Sequence, residues 1–197
     1  MSINEIEKLI SESENGIISS RDVSKKGIHR GYLTKMVEMG VLERVGRGLY
    51  IRSDFWEDEL LILQKKYDRG VFSHETALYL HGFTDRTPSK FTMTFTHGYS
   101  TPLLESENIK VKRVIKEKYD IGIVEVNTPF NNVVKAYDIE RTLCDIVKGK
   151  GADIQIINEA MKKYAAYSKK DINKLIDYAE IMHVKPKILR YMEILLW

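Results

Sequence analysis

The chain has 197 residues, 43% apolar and 30% charged, with a net charge of only +3. That is room for one large domain or two small ones, and enough apolar material for a core, so a disordered chain is excluded. The longest apolar runs, such as 60–63 and 194–197, fall far short of the roughly 18–20 residues that span a bilayer. No basic leader precedes Glu5, and the lone cysteine, Cys144, cannot form an internal disulfide, so a cytoplasmic protein with no membrane partner is expected.

Taken in chain order, Ser2-Ile3-Asn4-Glu5 reads as a capping box, followed by a first helix with Ile6, Leu9 and Ile10 as its apolar stripe. Gly16-Ile17-Ile18 is a brief extended piece. Ser19 or Ser20 caps a second helix that ends at Gly27, and a third fits 29–39, closed by Gly40, with Leu33, Met36 and Val37 inward. Two β-prone runs, 41–45 and 49–51, flank Gly46-Arg47-Gly48 and predict a hairpin. Three short helices followed by a hairpin is the order of a winged helix-turn-helix.

Ser53-Asp54 marks a change of domain, with a winged helix-turn-helix at 1–53 and an α+β domain at 54–197. Asp54 with Glu57 is a second capping-box candidate, opening a helix over 55–69. A short helix at 74–80 follows, then strands at 91–96, 109–115 and 121–126, and helices at 138–147, 153–166, 169–183 and 185–196. The predicted class is α+β: a mixed α/β domain with a helical C-terminal end behind the winged helix.

Charge separates the first segments. Residues 1–15 hold one Lys against four Glu, whereas 16–52 hold eight Lys and Arg against three acids. A polyanion would meet the second stretch. A helix in the major groove offers its N-terminal residues to base edges while flanking groups hold phosphates. Arg30, Gly31, Tyr32, Thr34 and Lys35 fall off the apolar stripe and are expected outward. Arg30 in the first turn suits a bidentate contact to guanine. Lys26 and Lys35 suit phosphates, and Arg47 at the hairpin tip suits a minor groove or its phosphates. Ser20, Arg21, Lys25, His29 and Arg44 complete the candidate interface. Solvation of a surface explains any single lysine equally well; the ordered arrangement favours double-stranded DNA. A second basic run, Lys110, Lys112, Arg113, Lys116 and Lys118, is a candidate second electropositive face.

No catalytic, metal or cofactor constellation stands out. His74 and His81 are too far apart along one helix to share an ion, Cys144 sits among apolar residues, and Gly46-Arg47-Gly48 is a turn rather than a phosphate loop. Glu140, Arg141 and Asp145 read as an ion-paired helix surface. Two competing readings stay open: a DNA-directed, nuclease-like enzyme working through Glu140, Asp145 or His74, and a winged helix that binds a protein.

Three ordered blocks resemble the AbiEi-type antitoxins of type IV, phage-abortive toxin–antitoxin pairs. These are Leu42-Glu43-Arg44-Val45-Gly46-Arg47-Gly48-Leu49-Tyr50, then Phe72-Ser73-His74-Glu75-Thr76-Ala77-Leu78-Tyr79-Leu80-His81-Gly82, then Asp138-Ile139-Glu140-Arg141-Thr142-Leu143-Cys144-Asp145. The resemblance implies a winged helix that binds inverted repeats in its own promoter and represses the operon. It also implies a C-terminal domain that counters a nucleotidyltransferase toxin without a stable complex. Monomers on adjacent half-sites are expected, since no heptad seam is present. One departure is His29 at the N-cap of the third helix, where relatives often carry Ser; imidazole is a poorer cap and leaves that helix start open by a residue or two.

Overall fold

The structure, a computed structural model, describes residues 3–100, 107, 109–149 and 153–196. It is α+β, and the chain divides into two compact units, Met1–Asp68 and Arg69–Trp197. The domain boundary expected at Ser53-Asp54 falls inside the first unit, and the division comes after Asp68, beyond α4.

The first unit runs α1 (Ile3–Ser11), β1 (Ile17–Ser19), α2 (Ser20–Lys25), α3 (Gly31–Glu38), β2 (Leu42–Gly46), β3 (Leu49–Arg52) and α4 (Glu59–Lys66). The cap expected at Ser2 lies outside the described residues. The extended piece at 17–19 becomes a third strand: β3 lies between β1 and β2, antiparallel to both, with Ile17 opposite Ile51 and Arg44 opposite Tyr50. Ile6, Leu9 and Ile10 of α1 meet Val23, Ile28, Leu33, Met36, Ile18 and Leu42 in one core.

Two expectations change. Val37 is exposed, and Tyr32 is half-buried against that core instead of facing outward. At about 100° per residue Tyr32 and Val37 flank the Leu33–Met36 centre equally, so the helical period does not choose between them; the core packs on the Tyr32 side. The helix expected from residue 55 begins only at Glu59. Asp58 caps it, accepting from the Leu61 N–H at 3.2 Å. Asp54 is unavailable as a cap because Arg52 takes its carboxylate in a two-pronged contact, Nε–Oδ1 2.8 Å and Nη2–Oδ2 2.5 Å. That hydrogen-bonded pairing holds the Asp54 carboxyl below its usual range.

The second unit contains β4 (Val71–Phe72), α5 (His74–Leu80), β5 (Phe91–Thr96), β6 (Ile109–Val114), α6 (Lys116–Tyr119), β7 (Ile123–Asn127), β8 (Val133–Tyr137), α7 (Ile139–Lys148), α8 (Ile154–Ala166), α9 (Ile172–Ile181) and α10 (Lys185–Leu196). Its five strands lie in the order β6-β5-β4-β8-β7, with β4–β8 and β5–β6 parallel and the other two pairs antiparallel. β4 and β8 go beyond the three strands predicted. The two residues of β4 carry no readable period, and β8 is fixed by its neighbours on both sides, parallel to β4 with Phe72 opposite Ala136 and antiparallel to β7 with Ile123 opposite Tyr137.

α7 is the centre of this unit, not an ion-paired surface helix. Every residue from Ile139 to Val147 is buried, charges included. Asp138 caps it, accepting from the Arg141 N–H at 2.8 Å, and its other carboxylate oxygen meets Lys174 Nζ at 2.8 Å. Glu140 accepts from the Tyr164 hydroxyl at 3.0 Å and faces Lys174 Nζ at 3.4 Å, which ties α7 to α8 and α9. Arg141, fully buried, donates through Nε to Asp145 (3.1 Å) and through Nη1 to the carbonyls of Ile121 (3.1 Å) and Lys118, while its guanidinium lies 4.2 Å over the Tyr137 ring. Buried charges of this kind are tolerated only when paired. The third familiar block is therefore a structural network. Cys144 sits in the helical core, where burial pushes its thiol up to about 12, as the apolar reading expected.

Candidate nucleic-acid interface

The interface is built where α3 and the β2–β3 turn face each other. Ser19 caps α2 through its hydroxyl, which accepts from the Asp22 N–H at 3.1 Å, so Ser20 starts the helix with its own N–H donating to the Gly48 carbonyl at 2.8 Å. This bond draws the hairpin turn against α2. Gly48 is at φ +68, and a Cβ there would stand 2.5 Å from Ser20 Oγ, so both the conformation and the close approach require glycine. The result is one groove of about 490 Å³, lined by Ser20, Arg30, Gly31, Thr34, Arg47 and Gly48, with Leu33 and Tyr50 as its floor.

Arg30 is the best-positioned cation in it. Its Nε donates to Ser24 Oγ at 2.8 Å, and that hydroxyl in turn donates to the Ser20 carbonyl at 2.9 Å. The relay pins the guanidinium by one edge and leaves its terminal nitrogens toward solvent. Ser24 was not among the sequence candidates. Its position four residues after Ser20, on the exposed side of α2, was the signal that could have found it.

The helix start is also clearer. Arg30 occupies the N-cap position in a helical conformation without a side-chain cap, and the Gly31 N–H donates to His29 Nδ1 at 3.1 Å. The imidazole therefore does capping work from one residue earlier than the assigned cap.

The remaining first-unit candidates divide. Lys35 and Thr34 are exposed on the outward side of α3; Arg21 and Lys25 are exposed on α2; Arg47 projects from the turn. Arg44 lies along the turn, its Nε donating to the Gly46 carbonyl at 3.2 Å. Lys26 turns toward α1, with its Nζ 3.9 Å from Glu12, and does not line the groove.

The five candidates of the second basic face do not share a face. Lys110 and Lys112 project to one side of β6, and Arg113 to the other, where it donates to the Tyr99 carbonyl at 3.4 Å. Lys116 and Lys118 lie on α6, the former paired with Asp120 at 2.7 Å. His74, at φ +53, is the first residue of α5 and lies within the electrostatic reach of Lys110 and Lys112. Burial, reinforced by the charges of Lys112, Lys110 and Arg141, drives this imidazole down to about 3.

A group depressed from 6.5 contributes stability that is present above 6.5 and lost as the pH falls toward 3. Asp145 has the opposite sign: burial raises its carboxyl to about 6 against the pull of Arg141, so its contribution is present below about 3.8 and lost as the pH rises through 6. The larger His74 shift dominates, and acid is expected to remove on the order of 2–4 kcal/mol. His74→Asn, which tolerates the same backbone, should flatten the pH profile of urea unfolding between 6.5 and 4; an unchanged profile would reject this role for His74.

Among the described residues no three His, Cys, Asp or Glu side chains gather as metal ligands, and no helix is long and apolar enough to cross a membrane. Glu140 and Asp145, the carboxylates of the nuclease-like reading, face separate cations, Lys174 and Arg141.

Residues 5–53, the segment that carries this groove, match the model of a family described as transcriptional regulator, AbiEi antitoxin. The N-terminal domain belongs to this family. The AbiEi match ends where the second unit's elements have yet to begin, so it speaks for the regulator domain alone. No curated protein matches the chain. In three dimensions the chain is similar to the crystal structure of the RV2827C protein from Mycobacterium tuberculosis, at 13% identity and a TM-score of 0.65, covering 98% of this chain and 80% of that one. At that identity the likeness concerns the fold, and it extends beyond the AbiEi domain across both units.

The AbiEi domain invites one direct test of its groove. Gly48→Val should cost about 1–2 kcal/mol from the left-handed conformation alone, before the clash with Ser20 is added. Urea unfolding should register that loss, and the displaced turn should weaken DNA binding as well. Unchanged stability and binding would mean that the turn is not held against α2.

Proposed function

We propose that this protein is an antitoxin and autorepressor. Its winged helix binds inverted repeats in the promoter of its own operon, and its second unit counters a nucleotidyltransferase toxin without forming a stable complex. The observation that carries the DNA-binding half is the groove in which Arg30 and Arg47, from α3 and the hairpin turn, line the same exposed concavity within an AbiEi-type regulator domain. In this reading Arg30 contacts a base edge in the major groove. Arg47 enters the adjacent minor groove or holds its phosphates, and Lys35, Arg21 and Lys25 meet the backbone. The half-buried Tyr32 serves to seat α3.

Titration of the full chain against its own upstream DNA at several salt concentrations tests this reading. Sequence-selective binding is expected, with a log–log salt slope of about −0.9 for each phosphate neutralised. Equal affinity for scrambled DNA would remove the repressor role. The antitoxin half is tested by co-expression with the nucleotidyltransferase toxin that this reading places in the same operon. Rescue of growth without co-purification is expected, and a stoichiometric complex would favour direct capture instead.

A further inference from the structure

Beside Arg30, α3 carries a second group suited to reading a base. At about 100° per residue, Arg30, Thr34 and Val37 fall within about 60° of one another, about one turn apart along the helix. Arg30 and Thr34 line the groove that faces the hairpin turn, and Val37 continues the same side, exposed because the core packs on the Tyr32 side. At 1.5 Å per residue Thr34 stands about 6 Å along the axis from Arg30, close to two base-pair steps.

Gly31 keeps the space between them clear. A Cβ there would stand 2.9 Å from His29 Nδ1, the acceptor of the Gly31 N–H, so a side chain would press on the bond that starts the helix. A base edge can therefore approach the backbone between Arg30 and Thr34. Thr34 itself is exposed, and its hydroxyl makes no hydrogen bond among the described residues. A helical threonine often turns that hydroxyl back to the carbonyl one turn earlier. Here it is left to a ligand.

The residue types narrow the base. Adenine is best held by the paired donor and acceptor of Asn or Gln, and the cytosine amine by an acid. α3 holds neither Asn nor Gln, and its one acid, Glu38, ends the helix outside the groove lining. A hydroxyl donor beside a methyl matches thymine, which shows its O4 acceptor and its C5 methyl in the major groove.

We propose that Thr34 is a specificity-determining residue that reads a thymine about two base pairs from the guanine of Arg30. Its methyl packs on the C5 methyl and its hydroxyl donates to O4. The assignment rests on the reading of α3 as the recognition helix. A threonine bound to a phosphate would be blind to the base methyl, which makes that methyl the deciding probe.

The test is competition binding of the full chain to duplexes from its own upstream region, with each thymine in turn replaced by deoxyuridine, which lacks only the C5 methyl. A loss of about 3- to 10-fold is expected at one thymine in each half-site. Thr34→Ser, which keeps the hydroxyl, should bind the thymine and uracil duplexes alike at that position. Thr34→Val, which keeps the methyl, should still prefer thymine. Arg47→Ala should weaken binding but retain the uracil penalty. Selective binding with no uracil-sensitive thymine, or a penalty undiminished in Thr34→Ser, would overturn the role of Thr34 and leave the repressor reading standing. Equal affinity for scrambled duplex would overturn that reading itself, and the Thr34 assignment with it.

Discussion

Arg141→Met is expected to cost about 3–5 kcal/mol, the largest single-residue effect on this protein's stability, because it leaves the Asp145 carboxylate buried without its partner. The same change strips a donor from the carbonyls of Lys118 and Ile121 and removes the cation from the face of Tyr137. Against a total of about 5–15 kcal/mol for a typical domain, this is a large share. Urea unfolding followed by far-UV circular dichroism measures it. The double variant Arg141→Met/Asp145→Leu supplies the control: with both charges gone the desolvation cost disappears as well, and much of the lost stability should return. A single variant within about 1 kcal/mol of the parent would show that the network contributes little, and a double variant no better than the single would place the damage in packing.

The second large effect concerns recognition. Arg30→Ala should lose about 1–3 kcal/mol of discrimination, roughly 5- to 150-fold in the ratio of operator to scrambled affinity. Arg47→Ala should weaken binding and lower the salt slope by about one. Ser24→Ala is expected to reproduce part of the Arg30 loss, because Arg30 then has to be ordered at the moment of binding. Lys26→Ala is expected to change little, since Lys26 lies beside Glu12 on the α1 side. Competition binding with operator and scrambled duplexes separates these outcomes. A Lys26 effect as large as that of Arg30 would reverse the assignment.

Much of the first unit was legible in the sequence, because its signals are local. Gly27 and Gly40 mark helix ends, Leu33 and Met36 recur at helical spacing, and the Gly46-Arg47-Gly48 turn sits between two β-prone runs. Such features act over a few residues and need no knowledge of partners. What escaped was set by neighbours distant in sequence. Val37 and Tyr32 exchanged expected exposures because the core meets α3 on the Tyr32 side. Asp54 lost its capping role to Arg52, and Lys26 turned toward Glu12, just past the end of α1.

In the second unit the balance is reversed. Helix periods foretold α7 to α10 to within a few residues, but the weight of α7 in the fold was hidden. A run of Glu, Arg and Asp at helical spacing reads the same on a solvated face as in a core. Only the arrival of Tyr164 and Lys174 from α8 and α9, and of the Lys118 and Ile121 carbonyls from the α6 region, makes burial of those charges affordable.

By itself, then, the sequence determined the α+β class, the winged-helix order and the basic character of residues 16–52, all properties of short-range pattern and composition. The tertiary structure alone decided which cations share a groove, that Ser24 holds Arg30, and that Arg141 is buried. Those depend on which surfaces meet, and a local period carries no record of the neighbour that will cover it.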